Sequence, residues 1–317
     1  MTTSQPHAQT QTPLREWVMF LLLGLIWGSS FLWIKVALGT GGTEGFSPLL
    51  LVTFRVLFGV SGLLALLRSQ GLRLPRDRQT LTACALIGLF NTAIPFLLIS
   101  WGETRIASGL AAILNGAQPL FTVVIAHFAL HDEPVSRGKV AGLFAGFLGV
   151  VVLMSRDLGS GLGSIWGQLA VLAATVSYAG ASTYARRTLR GMPPVVQACT
   201  PLLFASLYLV VAVAAFDRHV TLPSRALPWL AVLWLGLLGS CVAYVLSFTL
   251  MNVWGATRTS LVTYIMPVVG LLLGAVVLGE PTDWRLLAGT ALVVGGIGVV
   301  NARALLAAAR PDVVAKI

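Results

Sequence analysis

Charged residues are scarce in this chain. They make up 10% of its 317 residues, and only 11 residues are acidic. The composition is 56% hydrophobic and the mean hydropathy is +0.87, which is more apolar side chain than a soluble protein can bury in one or two cores. A soluble globular fold is therefore excluded, and lipid is the expected solvent.

The sequence also lacks the patterns of metal, disulfide and nucleotide chemistry. Its three cysteines, Cys84, Cys199 and Cys241, lie in apolar stretches and belong to no Cys/His cluster. It contains neither a Gly-rich phosphate loop nor a His-Glu-x-x-His motif. We therefore expect no metal, no cofactor and no ATP-driven pump.

Breaks at glycine, proline and charge clusters divide the chain into ten apolar segments. Each is close to the roughly 20 residues that a membrane-crossing helix needs. We number them spans one to ten: 17–38, 48–67, 80–101, 106–129, 138–155, 165–186, 194–216, 228–250, 256–278 and 285–304. The predicted fold class is an all-α polytopic membrane protein with ten transmembrane helices.

The net charge of +10 is explained by topology and not by nucleic-acid binding. With the N-terminus inside, 14 of the 21 basic residues fall in inner loops and tails and only 5 in outer loops. Cytoplasmic loops carry such an excess of Lys and Arg. We therefore predict a multi-pass inner-membrane protein with both termini in the cytoplasm and no nucleic-acid partner.

The sequence contains an internal repeat. Residues 119–142 recur as residues 267–289, each with a proline, a Glu-Pro pair and an Ala-Gly pair in order. Because each half holds five spans, an odd number, the second copy enters the membrane from the opposite side. We predict two inverted five-helix repeats, the arrangement of many transporters. The expected domains are a disordered tail 1–13, a first repeat 14–155, an outer linker 156–163, a second repeat 164–304 and a tail 305–317.

These residues resemble a known family, the EamA-type permeases of the drug/metabolite transporter superfamily. The resemblance rests on the segment LIWGSSF at 25–31, on Lys35, on Phe54 and Arg55, and on the duplicated ten-span layout. It implies a permease, often an exporter, of amino acids, other metabolites or drugs. It also implies a central cavity walled by spans one to four and six to nine, with spans five and ten at the periphery.

Polar and aromatic side chains at mid-depth are the candidates for this cavity. An amide or phenol inside a membrane must find a partner, and rings can bury the apolar part of a substrate. Interhelical hydrogen bonding or plain packing is the alternative for each residue. The predicted cavity residues are Trp27, Ser30, Arg55, Asn91, Asn115, Gln118, Tyr178, Tyr244 and Tyr264.

Arg55 lies within roughly 5 Å of the predicted midplane, counted at about 1.5 Å per residue. A cation there costs about 2.5 to 3.5 kcal/mol unless it is paired or wetted. One interpretation is a fixed charge that attracts a substrate carboxylate. The other is hydrogen bonding to backbone carbonyls that a proline has freed.

Four residues are candidates for gating. Lys35 and Glu103 have similar depth near the outer surface, so an ion pair between them could close the outer vestibule, although Lys35 could also snorkel to the headgroups. Pro119 and Pro267 are symmetry mates that remove backbone donors in mid-span. They could be hinges for alternating access or static bends.

Other functions and partners remain open at this point. The segment Gly59-Val-Ser-Gly62 resembles the nucleophile region of rhomboid-type intramembrane proteases, with Ser61 as nucleophile, but no histidine lies at comparable depth to activate it. A channel or a scaffolding bundle is another alternative. Glycines in spans five and ten permit close contact with neighbouring spans or with a second subunit, so a homodimer through these spans is possible.

Overall fold

The protein is described by a computed structural model, which covers residues 14–39, 43–129, 137–155, 162–217 and 220–300. Seven spans contain one main helix each: Leu14–Leu38, Pro48–Ser69, Arg137–Ser155, Leu162–Thr188, Pro194–Phe216, Val262–Leu278 and Trp284–Val300. A short helix, Ala256–Thr259, precedes the main helix of span nine. Spans three, four and eight are interrupted.

The predicted fold class is confirmed. Within the described ranges, eight helices are long and apolar enough to cross a membrane, and two shorter apolar helices, Val262–Leu278 and Trp284–Val300, complete the ten spans. Side chains such as Phe144, Val276 and Trp284 are 73%, 80% and 68% exposed, as expected for a surface in contact with lipid. The predicted tails 1–13 and 305–317 lie outside the described residues, and the repeat boundaries remain predictions.

Local sequence signals explain where several helices begin. Span two begins at Pro48, and the Ser47 hydroxyl accepts a hydrogen bond from the Leu50 N–H at 3.3 Å. Span seven begins at Pro194, a residue whose missing N–H costs nothing in the first turn. Span three follows Asp77, whose carboxylate accepts from the Thr80 N–H at 2.7 Å.

Spans three and eight share an irregularity that the sequence did not predict. Each changes to π-helical geometry in mid-span, at Leu89–Ala93 in span three and at Leu235–Val242 in span eight. A π-helical turn is wider than an α-helical turn and is frequent at functional sites. The two segments occupy corresponding positions in the two halves of the chain.

Span four is broken, whereas span nine continues through its proline. The first helix of span four ends at Gly116 and the second begins at Gln118, so Pro119 stands at the start of a helix and not inside one. Pro267 lies inside the helix Val262–Leu278. The two prolines thus differ in local position: the chain breaks before Pro119, where its missing N–H leaves no bond unmade. Their role as hinges or static bends remains a prediction.

Spans five and ten pack closely against each other through glycine. A Cβ atom on Gly142 would lie 2.7 Å from the Gly296 carbonyl oxygen, and a Cβ on Gly149 would lie 2.9 Å from that of Gly289. No side chain fits at these separations, so the two backbones meet directly. These glycines serve a contact within one chain, and the homodimer through spans five and ten remains a prediction.

Candidate functional site

Arg55 occupies the centre of a cluster formed by spans two, three and eight. Its side chain is 4% exposed, its Nε donates to the Ser240 hydroxyl at 3.1 Å, and its guanidinium lies 3.8 Å from the centroid of the Phe96 ring. An aromatic face attracts a cation by about 0.5 to 2 kcal/mol. The hydroxyl and the ring together offset part of the cost of placing this charge in the bundle.

Trp27 of span one joins this cluster through the π-helical segment of span eight. Its indole N–H donates to the Gly239 carbonyl at 3.2 Å. Its ring packs edge-on against the Tyr244 ring, with the two ring centroids 6.1 Å apart. Gly239 lies within the π-helical segment Leu235–Val242, so this hydrogen bond ties span one to the irregular part of span eight. The Ser177 hydroxyl likewise donates to the Phe90 carbonyl of the π-helical segment in span three, at 2.6 Å.

Tyr244 also connects the cluster to span three. Its hydroxyl lies near the side chain of Thr92, which is 1% exposed. Tyr178 of span six and Tyr244 lie close enough to Arg55 to interact with it electrostatically. A Cβ atom built on Gly239 would lie 3.4 Å from the Ser30 hydroxyl oxygen and 3.6 Å from an Nη atom of Arg55. Both side chains therefore border span eight at Gly239.

The guanidinium retains free hydrogen-bonding capacity. Nε is committed to Ser240, but among the described residues no group accepts a hydrogen bond from the two terminal nitrogens. Both terminal nitrogens retain some accessible surface. A planar fork of free N–H donors matches the geometry of a carboxylate.

The structure thus brings together five of the nine predicted cavity residues: Trp27, Ser30, Arg55, Tyr178 and Tyr244. Asn91 lies in the π-helical segment next to Thr92. Asn115 and Gln118 flank the break in span four, where the Asn115 side-chain oxygen is buried without a hydrogen-bond partner. Tyr264 lies half-buried on span nine, packed against the main core.

Sequence reasoning missed Thr92 and Phe96. Both lie in span three: Thr92 in its π-helical segment, and Phe96 in the first turn of the helix that follows. An apolar ring gives no signal of a polar role in a membrane sequence. The available signal was the need of Arg55 for a partner, which aromatic residues can satisfy.

Lys35 lies beside Glu103, at the face that the sequence predicts to be outer. The Lys35 ammonium donates to main-chain carbonyls, those of Glu103 and of Ile106 (2.8 Å), and so ties span one to the connection after span three. The Glu103 side chain is fully buried, and neither of its carboxyl oxygens accepts a hydrogen bond from a described residue. Lys35 therefore bonds to the backbone at Glu103, and gating by this pair remains a prediction.

A second contact at the predicted outer face joins the two halves of the chain. The Glu280 carboxylate accepts from the backbone N–H groups of Ser108 at 2.7 Å and Gly109 at 3.0 Å, at the start of span four. The chain turns at Gly279, whose φ of +65° ends span nine in a left-handed conformation. A carboxylate from the second half thereby caps a helix of the first half.

Metal binding has no support in the described part of the chain. There, no group of three or more His, Cys, Asp or Glu side chains is placed to hold a metal ion. The three cysteines are buried and unpaired.

Comparison with known proteins gives the family. The sequence model of the EamA-like transporter family matches residues 15–155 and again residues 165–302. The uncharacterized inner membrane transporter YedA of Escherichia coli (strain K12) is 31% identical over 260 residues, which cover 81% of each chain. A probable amino-acid metabolite efflux pump of Salmonella typhimurium is 26% identical over 297 residues, 89% of this chain and 93% of the relative.

A solved structure agrees on the fold. A crystal structure of a protein with 24% sequence identity superposes with a TM-score of 0.67 and covers 94% of this chain and 99% of that chain. The two matches of the family model follow one another along the chain, as expected for a duplication. The chain belongs to the EamA-like transporter family.

Proposed function

We propose that this protein is a secondary transporter of small organic metabolites that carry a carboxylate, such as amino acids or amphipathic acids. The observation that carries the proposal is Arg55, a buried guanidinium with free donors among the rings of Trp27, Phe96, Tyr178 and Tyr244. The cation would bind the carboxylate, and the rings would bury the apolar part. The name of the Salmonella typhimurium relative, an amino-acid metabolite efflux pump, supports this class of solute.

We further propose that transport proceeds by alternating access and that its direction is export. The Lys35 and Glu280 contacts both lie at the predicted outer face. The first joins span one to the connection between spans three and four, and the second joins span nine to span four. Release of solute on that side would require these contacts to break. Gly116 lies against the Pro267 ring, so the break in span four and the proline of span nine meet at one point, where the predicted hinge would act.

Two other classes are less well supported. The family is one of transporters and not of enzymes, and Ser61 is exposed with its hydroxyl donating to the Phe58 carbonyl at 2.8 Å, as a lipid-facing serine does. A channel is usually assembled from rings of identical residues around an axis. Among the described residues, the buried cation Arg55 comes from one span and not from a ring of identical residues, which favours a carrier site.

The test compares two arginine variants in proteoliposomes. Labelled amino acids and aromatic carboxylic acids are screened for uptake by the wild type, and the best solute is then used with Arg55→Gln and Arg105→Gln. Arg105 is the matched control, because it too stacks on an aromatic ring, Trp101 at 3.6 Å, but is exposed.

We expect Arg55→Gln to lower uptake by about 10- to 100-fold, because a hydrogen-bonded charge contributes about 1.5 to 3 kcal/mol. Arg105→Gln should retain wild-type uptake. Both variants should elute as single species in gel filtration. Equal uptake by the two folded variants would contradict the role of Arg55.

A further inference from the structure

The connection between spans two and three, residues 70–77, is held at both ends. At its start Gly71 adopts a φ of +63°, its N–H donates to the Arg68 carbonyl at 3.1 Å, and the Leu72 N–H donates to the Leu67 carbonyl at 3.0 Å. This is the hydrogen-bond pattern of a Schellman motif. At its end Asp77 caps the first turn of span three. Hydrogen bonds therefore hold both ends of the connection.

The same connection is anchored to the bundle by apolar contacts and encloses a groove. Leu72 and Leu74 pack against the main core. Beside them a cavity of about 360 Å³ opens to the surface. Its lining combines apolar side chains with three arginines: the lining residues are Leu64, Leu67, Arg68, Arg73, Leu74, Pro75 and Arg76.

The side chains of the three arginines of this groove have no anionic partner among the described residues. All three side chains are exposed, and none of them forms a hydrogen bond or an ion pair in the described ranges. The neighbouring acid, Asp77, is engaged elsewhere: hydrogen bonds from the backbone and the side chain of Thr80 hold the pKa of its carboxyl below the ordinary value of 3.8. The groove therefore carries an uncompensated positive charge.

We propose that this groove binds the headgroup of an anionic phospholipid. The guanidinium groups of Arg68, Arg73 and Arg76 would bind the phosphate, and the glycerol and first methylene groups would lie against Leu64 and Leu74. Guanidinium forks match phosphate geometry. The groove lies where two membrane-spanning helices end, which is the depth of lipid headgroups, and basic pockets at this depth bind anionic lipids.

The apolar lining residues favour a lipid over a free anion. A small phosphate ion would use the arginines and leave the leucines in contact with water. An amphipathic anion can contact both kinds of lining residue, because its charge and its hydrocarbon are adjacent. The site is separate from the Arg55 cluster, so the proposal does not depend on the transported solute.

Native mass spectrometry of the full chain in detergent tests the proposal. The wild type, the double variant Arg73→Gln/Arg76→Gln and the control Arg15→Gln/Arg190→Gln are each titrated with phosphatidylglycerol and with phosphatidylcholine. The control removes the same charge from exposed arginines that do not line the groove. Circular dichroism and gel filtration establish that each variant is folded.

We expect the wild type to bind phosphatidylglycerol more tightly than phosphatidylcholine. In the Arg73→Gln/Arg76→Gln variant the preference should fall by about 25-fold, since each basic residue at the surface contributes about fivefold. The control should retain it. An equal loss in the control, no preference in the wild type, or displacement of the lipid by millimolar inorganic phosphate would each overturn the proposal.

Discussion

At the residue scale, the burial of Arg55 is the fact that most constrains function. The sequence placed this cation near the midplane but left two interpretations open, a cavity charge or a bond to freed carbonyls. The structure gives it a hydroxyl, Ser240, and an aromatic face, Phe96, and leaves its terminal nitrogens unbonded within the described residues. The depth of Arg55 could be counted from the sequence. Its contact partners could not be predicted, because they depend on which helices pack together.

Glu280 gives a prediction about the closed contact at the predicted outer face. Loss of a side-chain helix cap costs about 1 kcal/mol, which corresponds to about fivefold in a conformational equilibrium. In a chain whose native cysteines are replaced by alanine, we expect Glu280→Ala to raise the labelling rate of Ser108→Cys by membrane-impermeant maleimide about fivefold. Ser108 is fully buried, so its labelling reports opening.

Glu44→Ala is the matched control for this measurement. Glu44 also lies in a connection at the predicted outer face, but its carboxylate accepts from the Ser224 hydroxyl at 2.6 Å and not from span four. Its removal should leave the labelling of Ser108→Cys unchanged. Labelling that rises equally in both variants, or in neither, would exclude a specific latch at Glu280.

Glu44 itself gives a prediction of pH dependence. Hydrogen bonds from the Ser224 hydroxyl and backbone N–H hold the pKa of the Glu44 carboxyl below the ordinary value of 4.5. Because the folded pKa is lowered, this contact is complete above pH 4.5 and is lost as the pH falls through the folded pKa. Ser224→Ala should raise the pKa of Glu44, measured by NMR titration of carboxyl-labelled glutamate, whereas Ser61→Ala should not. An identical titration in Ser224→Ala would refute the assignment.

At the element scale, the positions of the helices followed from the sequence and their interruptions did not. Span seven was predicted at 194–216 and is observed at Pro194–Phe216, because apolar composition and an initial proline define it. The π-helical segments at Leu89–Ala93 and Leu235–Val242 left no such signal. Their carbonyls are used by side chains of other spans, Ser177 and Trp27, so tertiary contacts stabilise them.

The glycines of span ten give a prediction about packing. A Cβ on Gly296 would lie 2.6 Å from the Gly142 carbonyl oxygen, whereas a Cβ on Gly298, two residues later, would meet nothing within 4 Å. Overpacking of this kind costs about 1 to 3 kcal/mol. We therefore expect Gly296→Val to lower the thermal unfolding midpoint and Gly298→Val, the control, to leave it unchanged.

Thermal unfolding of both variants in detergent, followed by differential scanning fluorimetry, checks this prediction. The two substitutions add the same side chain to the same helix, so differences in helix propensity cancel. If Gly298→Val is destabilised as strongly as Gly296→Val, the close contact between spans five and ten does not exist in solution.

At the scale of the whole molecule, the duplication observed in the sequence is matched by paired features of the structure. Each half has one span with a π-helical segment and one glycine-rich span, and the glycine-rich pair packs together. The sequence could predict the duplication, because the two copies share prolines and Glu-Pro pairs, but it could not predict the π-helical segments. It could not predict that span four breaks at Ala117 while span nine remains helical at Pro267, because packing around each copy differs.

Counterflow in proteoliposomes tests most directly the central claim that this chain is a carrier with a site exposed alternately to the two sides. Vesicles are preloaded with the unlabelled carboxylate that the uptake screen identifies, and labelled solute is added outside. The account predicts a transient accumulation of label above equilibrium and a flux that saturates, both abolished by Arg55→Gln. A flux that rises linearly with solute and is unaffected by preloading would contradict the account and indicate a channel.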